Sequence, residues 1–66
     1  MDWLTFLKIM AIEEEAAYKK YDLAAQLAED PALKKMMERL RDEEEFHTEF
    51  LLEEYEKMRK LLESRS

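Results

Sequence analysis

The sequence predicts an all-α fold, an antiparallel two-helix hairpin, on the strength of three observations. The 66 residues include no glycine and one proline, so the chain holds almost nothing that interrupts a helix. Alanine, glutamate, lysine, leucine and arginine dominate the composition, as they do in long helices. Apolar residues recur at steps of three and four on both sides of the proline, which is the spacing of one face of a helix.

An aspartate followed by the only proline marks the turn between the helices. The carboxylate of Asp30 can cap a helix, and Pro31 suits the first helical position, where a missing N–H costs no hydrogen bond. We therefore expect one domain over residues 1–66. Its helix 1 should run from about residue 2 to about residue 29 and its helix 2 from about residue 31 to about residue 63. A connection this short makes the two helices antiparallel neighbours.

The small size of the chain predicts a need for further stabilisation. A domain of this length buries only about 60% of the surface that its unfolded chain exposes, and such scaffolds usually add disulfides, a metal or a partner chain. The absence of cysteine excludes disulfides, thiolate zinc sites and iron–sulfur clusters. What remains is a metal bound through oxygen and imidazole ligands, association with another chain, or both.

Charge and hydropathy narrow the possible partners. The formal net charge of −6 repels phosphate backbones, so nucleic acid is not an expected partner, whereas cations are attracted. No apolar run approaches the roughly 20 residues that span a bilayer, and the apolar start lacks the basic leader of a secretory signal. We expect a cytoplasmic protein without a membrane partner; enclosure in a protein compartment is left open.

Helical periodicity predicts the face of each helix that packs inward. In helix 1 the inward stripe is Leu4, Leu7, Ala11, Glu14, Tyr18, Tyr21, Ala25 and Ala28. In helix 2 the inward stripe is Leu33, Met37, Leu40, Glu44, His47, Leu51, Glu54, Met58 and Leu61. Both stripes are typical of helices that line the core of a bundle, so their few polar members are the candidates for a functional site.

Three of these polar members, Glu14, Glu44 and His47, fall at one level of the hairpin. Glu44 and His47 are three residues apart and therefore share one face of helix 2. At the rise of an α-helix, the three residues lie roughly 24, 21 and 26 Å from the turn at Asp30. A buried unpaired carboxylate is costly and is relieved by pairing, protonation or metal binding. The matched level favours a shared metal site, the alternative being a polar device that fixes the register of a coiled coil.

The three residues also lie close to mid-length of the hairpin, and this position determines whether two copies can share them. Two hairpins related by a two-fold axis perpendicular to the helices superpose their sites only when each site lies near mid-length. Such a homodimer is a four-helix bundle whose core holds four glutamates and two histidines. Divalent cations are the simplest relief of that repulsion, and oxygen and imidazole ligands suit iron or manganese better than zinc.

Glu14-x6-Tyr21 in helix 1 and Glu44-x-x-His47 in helix 2 resemble the ferritin-like superfamily, in particular its rubrerythrin-type and encapsulated-ferritin branches. Full-length members carry four helices in one chain, with a single glutamate from two helices and Glu-x-x-His from the other two. Over about residues 11 to 55 this chain resembles half of such a protein. The resemblance implies a ferritin-like four-helix bundle with a di-iron centre across the dimer interface. In it Glu14, Glu44 and His47 would be metal ligands and catalytic residues, and Tyr21 would lie beside the site.

The resemblance also implies an enzyme activity. A ferroxidase oxidises Fe(II) to Fe(III) with dioxygen or peroxide, for iron storage or detoxification, and manganese is the other metal that the site would accept. Oxidation of iron is favoured over reduction of peroxide, because the chain has no cysteine-based electron-relay module.

Two further acidic residues and one tyrosine have alternative interpretations. Glu54 lies one heptad beyond His47 and is either an accessory metal residue or, as we favour, a side chain that reaches water at the widening end of the bundle. Glu43 lies four residues before His47 and either accepts the free imidazole N–H or belongs to a solvated acidic face. Tyr21 fits either a core aromatic or a hydrogen-bond donor to a ligand carboxylate.

The start of helix 1 carries more apolar surface than one face can bury. Trp3, Phe6, Ile9, Met10 and Ile12 surround its inward stripe. An exposed patch of this kind predicts a second interface that joins dimers into a larger homo-oligomer, the alternative being a thick core at one end of a single dimer.

A function of another class also stays open. The chain would then be a helical hairpin for oligomerisation or interaction, without enzymatic activity. The simple, glycine-free composition would also suit a designed or shortened bundle.

Overall fold

The computed structural model describes residues 2–65, which form two α-helices joined by a short turn. The first helix, α1, spans Trp3–Leu27, and the second, α2, spans Pro31–Arg65. The two helices pack against each other along their length in a body of 54 × 15 × 13 Å. The predicted all-helical hairpin is therefore confirmed. Within residues 2–65, neither helix contains an apolar stretch long enough to cross a membrane.

The first helix begins where Asp2 caps it. The Oδ1 atom of Asp2 accepts hydrogen bonds from the backbone N–H groups of Leu4 and Thr5, at 3.1 and 3.4 Å. The hydroxyl of Thr5 donates to Oδ2 of Asp2 at 2.6 Å. The Thr5 hydroxyl bond, followed by the backbone bonds, lowers the pKa of Asp2 from its ordinary value of 3.8. The ionised carboxylate thus satisfies N–H groups that have no partner inside the helix.

The end of α1 comes two residues earlier than the sequence predicted. The helix stops at Leu27 instead of about Glu29, because Ala28 adopts an extended conformation with φ −68° and ψ 125°. The N–H of Ala28 still donates to the carbonyl of Ala24, at 2.9 Å. The backbone therefore leaves the helix at Ala28.

The start of α2 is the one predicted from the aspartate and the proline. Pro31 is the first helical residue, and Oδ1 of Asp30 accepts a hydrogen bond from the N–H of Ala32 at 3.0 Å. One turn later, Lys34 reaches back across the turn and donates to the carbonyl of Ala25 at 2.8 Å. A cation at the end of α1 is favourable, because the free carbonyl groups there carry partial negative charge.

The contact between the helices is thin. Within residues 2–65 the only buried side chains are Ala11 and Ala25, which are 4% and 2% exposed. All other predicted inward positions of α1 are half-buried, and those of α2 are half-buried except for Leu33, His47 and Leu61, which are exposed. Leu33 and Leu61 lie near the two ends of α2. The small alanines allow the helices to approach closely but bury little apolar surface.

A single hairpin leaves an unusually large surface in water. The accessible surface is 5351 Å², whereas a compact globular monomer of this mass exposes about 4450 Å². The difference is similar to the roughly 800 Å² that each partner buries in a protein–protein interface of standard size.

The two sides of the hairpin differ in chemistry. One side is polar, and there Nη1 of Arg41 in α2 contacts Oδ1 of Asp22 in α1 at 3.2 Å. The opposite side is a mainly apolar groove, called the apolar groove below. It is lined by Trp3, Phe6, Leu7, Phe50, Leu51, Glu54 and Met58. A molecule that covers the apolar groove would dock on this side of the hairpin.

Candidate metal site

The fold brings together the three polar residues of the inward stripes. Glu14 lies near the middle of α1, and Glu44 and His47 are one turn apart on α2. One ligand atom from each of the three side chains lies within 4.8 Å of the other two. The similar distances from the turn that helix geometry predicts for these residues thus correspond to a cluster in the folded chain.

The imidazole of His47 faces both carboxylates through the same nitrogen. Its Nδ1 atom lies 3.4 Å from Oε2 of Glu14 and 3.9 Å from Oε2 of Glu44. Both distances exceed the usual length of an N–H···O hydrogen bond. The three groups therefore surround a small space without closing it by direct bonds, and a cation bound there would contact all three.

The two carboxylates of the cluster have no lysine or arginine partner among the described residues. Within residues 2–65 neither Glu14 nor Glu44 forms an ion pair with a lysine or an arginine. Arg41 lies one turn before Glu44, yet its guanidinium bonds to Asp42 at 3.0 Å and to Asp22 at 3.2 Å. These two hydrogen bonds, with that to Asp42 contributing most, raise the pKa of Arg41. The arginine thus stays on the polar side of the hairpin and leaves the carboxylates without a neutralising side chain.

The site opens on the side of the apolar groove. Glu14 follows Leu7 by one heptad and His47 precedes Glu54 by one heptad, so both continue the rows that line the groove. The side chains of Glu14 and Glu44 are 24% and 19% exposed, whereas that of His47 is 52% exposed. The imidazole is thus the part of the cluster that is most open to an incoming group.

Within residues 2–65, the residues predicted to lie around the site make no hydrogen bond or ion pair with it. Glu43 forms an ion pair with Arg39 at 3.7 Å, and within residues 2–65 it makes no hydrogen bond to the imidazole. Glu54 pairs with Lys57 at 3.4 Å, in agreement with the favoured interpretation of a side chain that reaches water. Tyr21 is half-buried two turns beyond Glu14, about 10 Å along the helix.

One contact beside the imidazole was absent from the sequence-based expectations. The ring of Phe46 meets that of His47 edge-on, with the ring centres 6.3 Å apart and an angle of 63° between the planes. Adjacent residues of a helix point in different directions, so periodicity gives no signal for such a pair. The aromatic contact limits the orientations of an exposed imidazole.

The Arg41–Asp22 pair was also absent from the sequence-based expectations, although a signal for it exists. Asp22 and Arg41 lie roughly 12 and 17 Å from Asp30 along their helices. These similar distances from the turn are the signal that identifies Asp22 and Arg41 as possible partners.

The donor atoms of the three side chains determine which metal ions the cluster suits. Two carboxylates and one imidazole supply hard oxygen ligands and a borderline nitrogen ligand, which suit iron and manganese. When each of the three side chains offers one ligand atom, an ion with four to six ligands keeps positions open for other groups.

Comparisons of the chain with protein-family models, with curated proteins and with solved structures gave no match.

Proposed function

We propose that two copies of the hairpin form a four-helix bundle that oxidises Fe(II) to Fe(III) at a di-iron site shared between them. The observation that carries this proposal is the cluster of Glu14, Glu44 and His47, whose ligand atoms lie within 4.8 Å of one another. The ferritin-like pattern of the same three residues in the sequence supports it. The role is iron storage or detoxification, with dioxygen or peroxide as the oxidant.

The chemistry of the donors fits the proposed substrate. Carboxylates bind Fe(III) more strongly than Fe(II), because the charge on the ion is higher, so binding itself favours loss of the electron to the oxidant. Glu14 and Glu44 supply the negative charge that stabilises the ion, and no lysine or arginine within residues 2–65 pairs with either carboxylate. His47 supplies a neutral nitrogen ligand whose ring orientation is limited by Phe46. Positions not occupied by these side chains admit the oxidant.

The need for a second copy follows from the exposure of the site and of the surface around it. The imidazole of His47 remains 52% exposed, and Trp3 and Phe50 in the adjoining groove are 58% and 52% exposed. A second hairpin related by a two-fold axis through the level of the cluster would cover this surface. It would also add the same three ligands, giving four carboxylates and two imidazoles for two ions.

The test of this function removes one ligand at a time. Glu44→Ala and His47→Ala should each slow Fe(II) oxidation by more than about a hundredfold, since loss of residues that only support a ligand already costs 10- to 100-fold. Stopped-flow absorbance of the Fe(III) product measures the rate, and circular dichroism checks that the helices persist.

Two matched controls accompany these variants. Glu54→Ala and Glu43→Ala remove carboxylates from the same helix that pair with Lys57 and Arg39, so they should oxidise iron at close to the parent rate. Parent-like rates in both ligand variants would show that the site assignment is wrong.

A non-enzymatic assembly module is the second candidate, and the exposed apolar surface of the hairpin favours it. Phe46, Leu23 and Leu27 are 66%, 56% and 70% exposed, and interaction surfaces are a common reason for such exposure. Elemental analysis of protein purified from iron-supplied cells separates the two candidates. Iron near one ion per chain supports the oxidase, and metal-free protein supports the assembly module.

A further inference from the structure

The outer face of α1, which points away from α2, carries an apolar row that nothing in the hairpin covers. Ile9, Ile12, Leu23 and Leu27 are 48%, 58%, 56% and 70% exposed, and Ala16 is exposed at the centre of the row. At about 100° per residue these side chains project on the side of the helix opposite the inward stripe. With Thr5 added, they follow one another at steps of three, four and seven residues, as the seam of a coiled coil does. We call this set the outer row.

Apart from Ile12, the outer row is symmetric about Ala16. Ile9 and Leu23 are each seven residues from Ala16, and Thr5 and Leu27 are each eleven residues from it. Two copies of α1 that run in opposite directions, with a two-fold axis at Ala16, would therefore place Ile9 of one copy opposite Leu23 of the other. The two Ala16 side chains would meet at the axis, where their small size permits close approach of the helices.

The charges along the two edges of the outer row agree with the same arrangement. Glu13 and Lys20 lie along one edge, and Glu15 and Lys19 lie along the other. In an antiparallel pair related by a two-fold axis, each edge faces the same edge of the other copy. Glu13 then lies opposite Lys20 of the second copy, and Glu15 lies opposite Lys19. A parallel pair would instead set glutamate against glutamate and lysine against lysine, which is unfavourable.

These four charges are available for such contacts. Within one chain, Lys19 and Glu15 approach each other only to 4.0 Å, with side chains that are 73% and 58% exposed. Glu13 and Lys20 form no ion pair within residues 2–65. Lys20 also occupies the position that mirrors Ile12, so its methylene groups can cover that isoleucine while its ammonium group reaches Glu13.

We propose that the outer row binds the outer row of a second copy of this chain, with the two α1 helices antiparallel and the two-fold axis at Ala16. The outer row shares no residue with the apolar groove. Each hairpin would therefore have two separate self-complementary surfaces, one for the bundle with the metal site and one for joining bundles. Two different two-fold interfaces on one chain build assemblies larger than a dimer. The interface itself does not depend on metal binding or on the proposed oxidase activity.

Disulfide cross-linking tests the position of the axis, because the chain has no cysteine of its own. Ala16→Cys should give mostly covalent dimer on mild oxidation with diamide in the presence of a chelator, since residues on the axis meet their own copies. Lys60→Cys, at an exposed position of α2, is the matched control and should give little. Equal yields from the two variants, or little covalent dimer from Ala16→Cys, would overturn the proposal.

Mixed cross-linking tests the direction of the helices. When Thr5→Cys chains are mixed with Leu27→Cys chains, an antiparallel pair gives the mixed disulfide, which mass spectrometry of the linked peptides identifies. Disulfides formed mainly between identical chains would indicate a parallel pair and would also overturn the proposal.

Substitutions in the outer row and along its edges test the individual contacts. One replaces an apolar residue by a charged one, and the others reverse charges. In the Ala16→Cys background, Leu23→Lys should weaken association by about tenfold or more, because a leucine that the proposed interface would bury becomes a charged residue. Lys20→Glu should also lower the yield, and Glu13→Lys combined with Lys20→Glu should restore it. A double variant that cross-links no better than Lys20→Glu alone would contradict the assigned pairing. Fe(II) oxidation by the same chains reports separately on the proposed function.

Discussion

Glu14 occupies a position that an apolar residue would fill in a hairpin built for stability alone. It lies between Leu7 and Tyr21 in the inward stripe of α1, and its side chain is 24% exposed. Its only ion-pair partner within residues 2–65 is the imidazole of His47. A carboxylate that is partly removed from water without a strong partner opposes folding and association. Functional sites commonly carry this kind of cost.

Replacing the Glu14 carboxylate should raise the stability of the metal-free protein while it removes a metal ligand. Glu14→Leu is expected to raise the stability of the metal-free protein by about 0.5–2 kcal/mol and to abolish the stabilisation that Mn(II) gives the parent. Thermal unfolding followed by circular dichroism, with and without Mn(II), measures both effects. Glu53→Leu, which changes an exposed glutamate of α2, should do neither. A less stable metal-free Glu14→Leu protein would show that the carboxylate supports the fold.

At the scale of the helices, the cap at the start of α1 gives the structure a defined response to acid. Hydrogen bonds from the Thr5 hydroxyl and from backbone N–H groups lower the pKa of Asp2 in the folded chain. A group with a lowered pKa stabilises the folded state above its unfolded-state pKa of 3.8, and that contribution is lost as the pH falls through the folded-state value. The first turn of α1, which carries Trp3, should therefore loosen in acid.

The fluorescence of Trp3, the only tryptophan, reports this change. At neutral pH, Asp2→Ala should release about one helical turn and make the indole more mobile, which lowers its fluorescence anisotropy. The parent should approach the anisotropy of the variant as the pH falls below 3.8. Thr5→Val removes the largest cause of the lowered pKa, so it should move the acid transition of the parent to higher pH. A transition at the same pH in both proteins would contradict this account of the cap.

The helices also show what local pattern can and cannot predict. The inward stripe of α1 was predicted at every position, because helical periodicity alone decides which residues share a face. The end of α1 was placed two residues too late, since it depends on the conformation of Ala28. Glu43 lies four residues from both Arg39 and His47, so spacing could not choose between them. The structure pairs it with Arg39, whose charge is permanent.

The candidate site, like the helices, could be predicted from the sequence only in part. Similar distances from the turn predict that Glu14, Glu44 and His47 are neighbours, and the structure brings them together. His47 lies in the inward stripe of α2, yet its side chain is 52% exposed in the single hairpin. Exposure is a property of the whole assembly, and the spacing of residues within one chain does not contain it. The role of the cluster as a metal site remains a prediction.

The cluster of Glu14, Glu44 and His47 lies near mid-length of a thin hairpin that is 54 Å long. The sides of this hairpin present different surfaces. The polar side is bridged by Arg41 and Asp22, the apolar groove adjoins the metal-site residues, and the outer row lies on the far side of α1. A monomer exposes about 900 Å² more than a compact protein of its mass. In the proposed dimer, one docking event would cover the groove and complete the metal site, so assembly and metal binding should be coupled.

This coupling predicts how metal, pH and assembly depend on one another. A ligand that binds only the assembled form stabilises it by about 2.7 kcal/mol when its free concentration is a hundredfold above its dissociation constant. Mn(II) or Zn(II), which do not undergo the iron chemistry, should thus shift dilute protein toward the dimer or a larger assembly and raise its melting temperature. The shift should be smaller at about pH 5 than at about pH 7, because protons compete with the metal for carboxylate and imidazole ligands.

Stoichiometry and one further variant complete this test. The proposed dimer would hold two ions between two identical half-sites, so bound metal should approach one ion per chain in sedimented dimer. Glu14→Ala removes a ligand from every site while leaving α2 unchanged, so the metal-induced shift should disappear in it. Glu53→Ala, on the exposed face of α2, should retain the shift. Light scattering at both pH values, with and without metal, follows the assembly.

A metal-independent dimer is compatible with the shared site, because apolar packing can hold it together. A metal-loaded monomer, or no metal-induced stabilisation at neutral pH, would refute a site built from two chains.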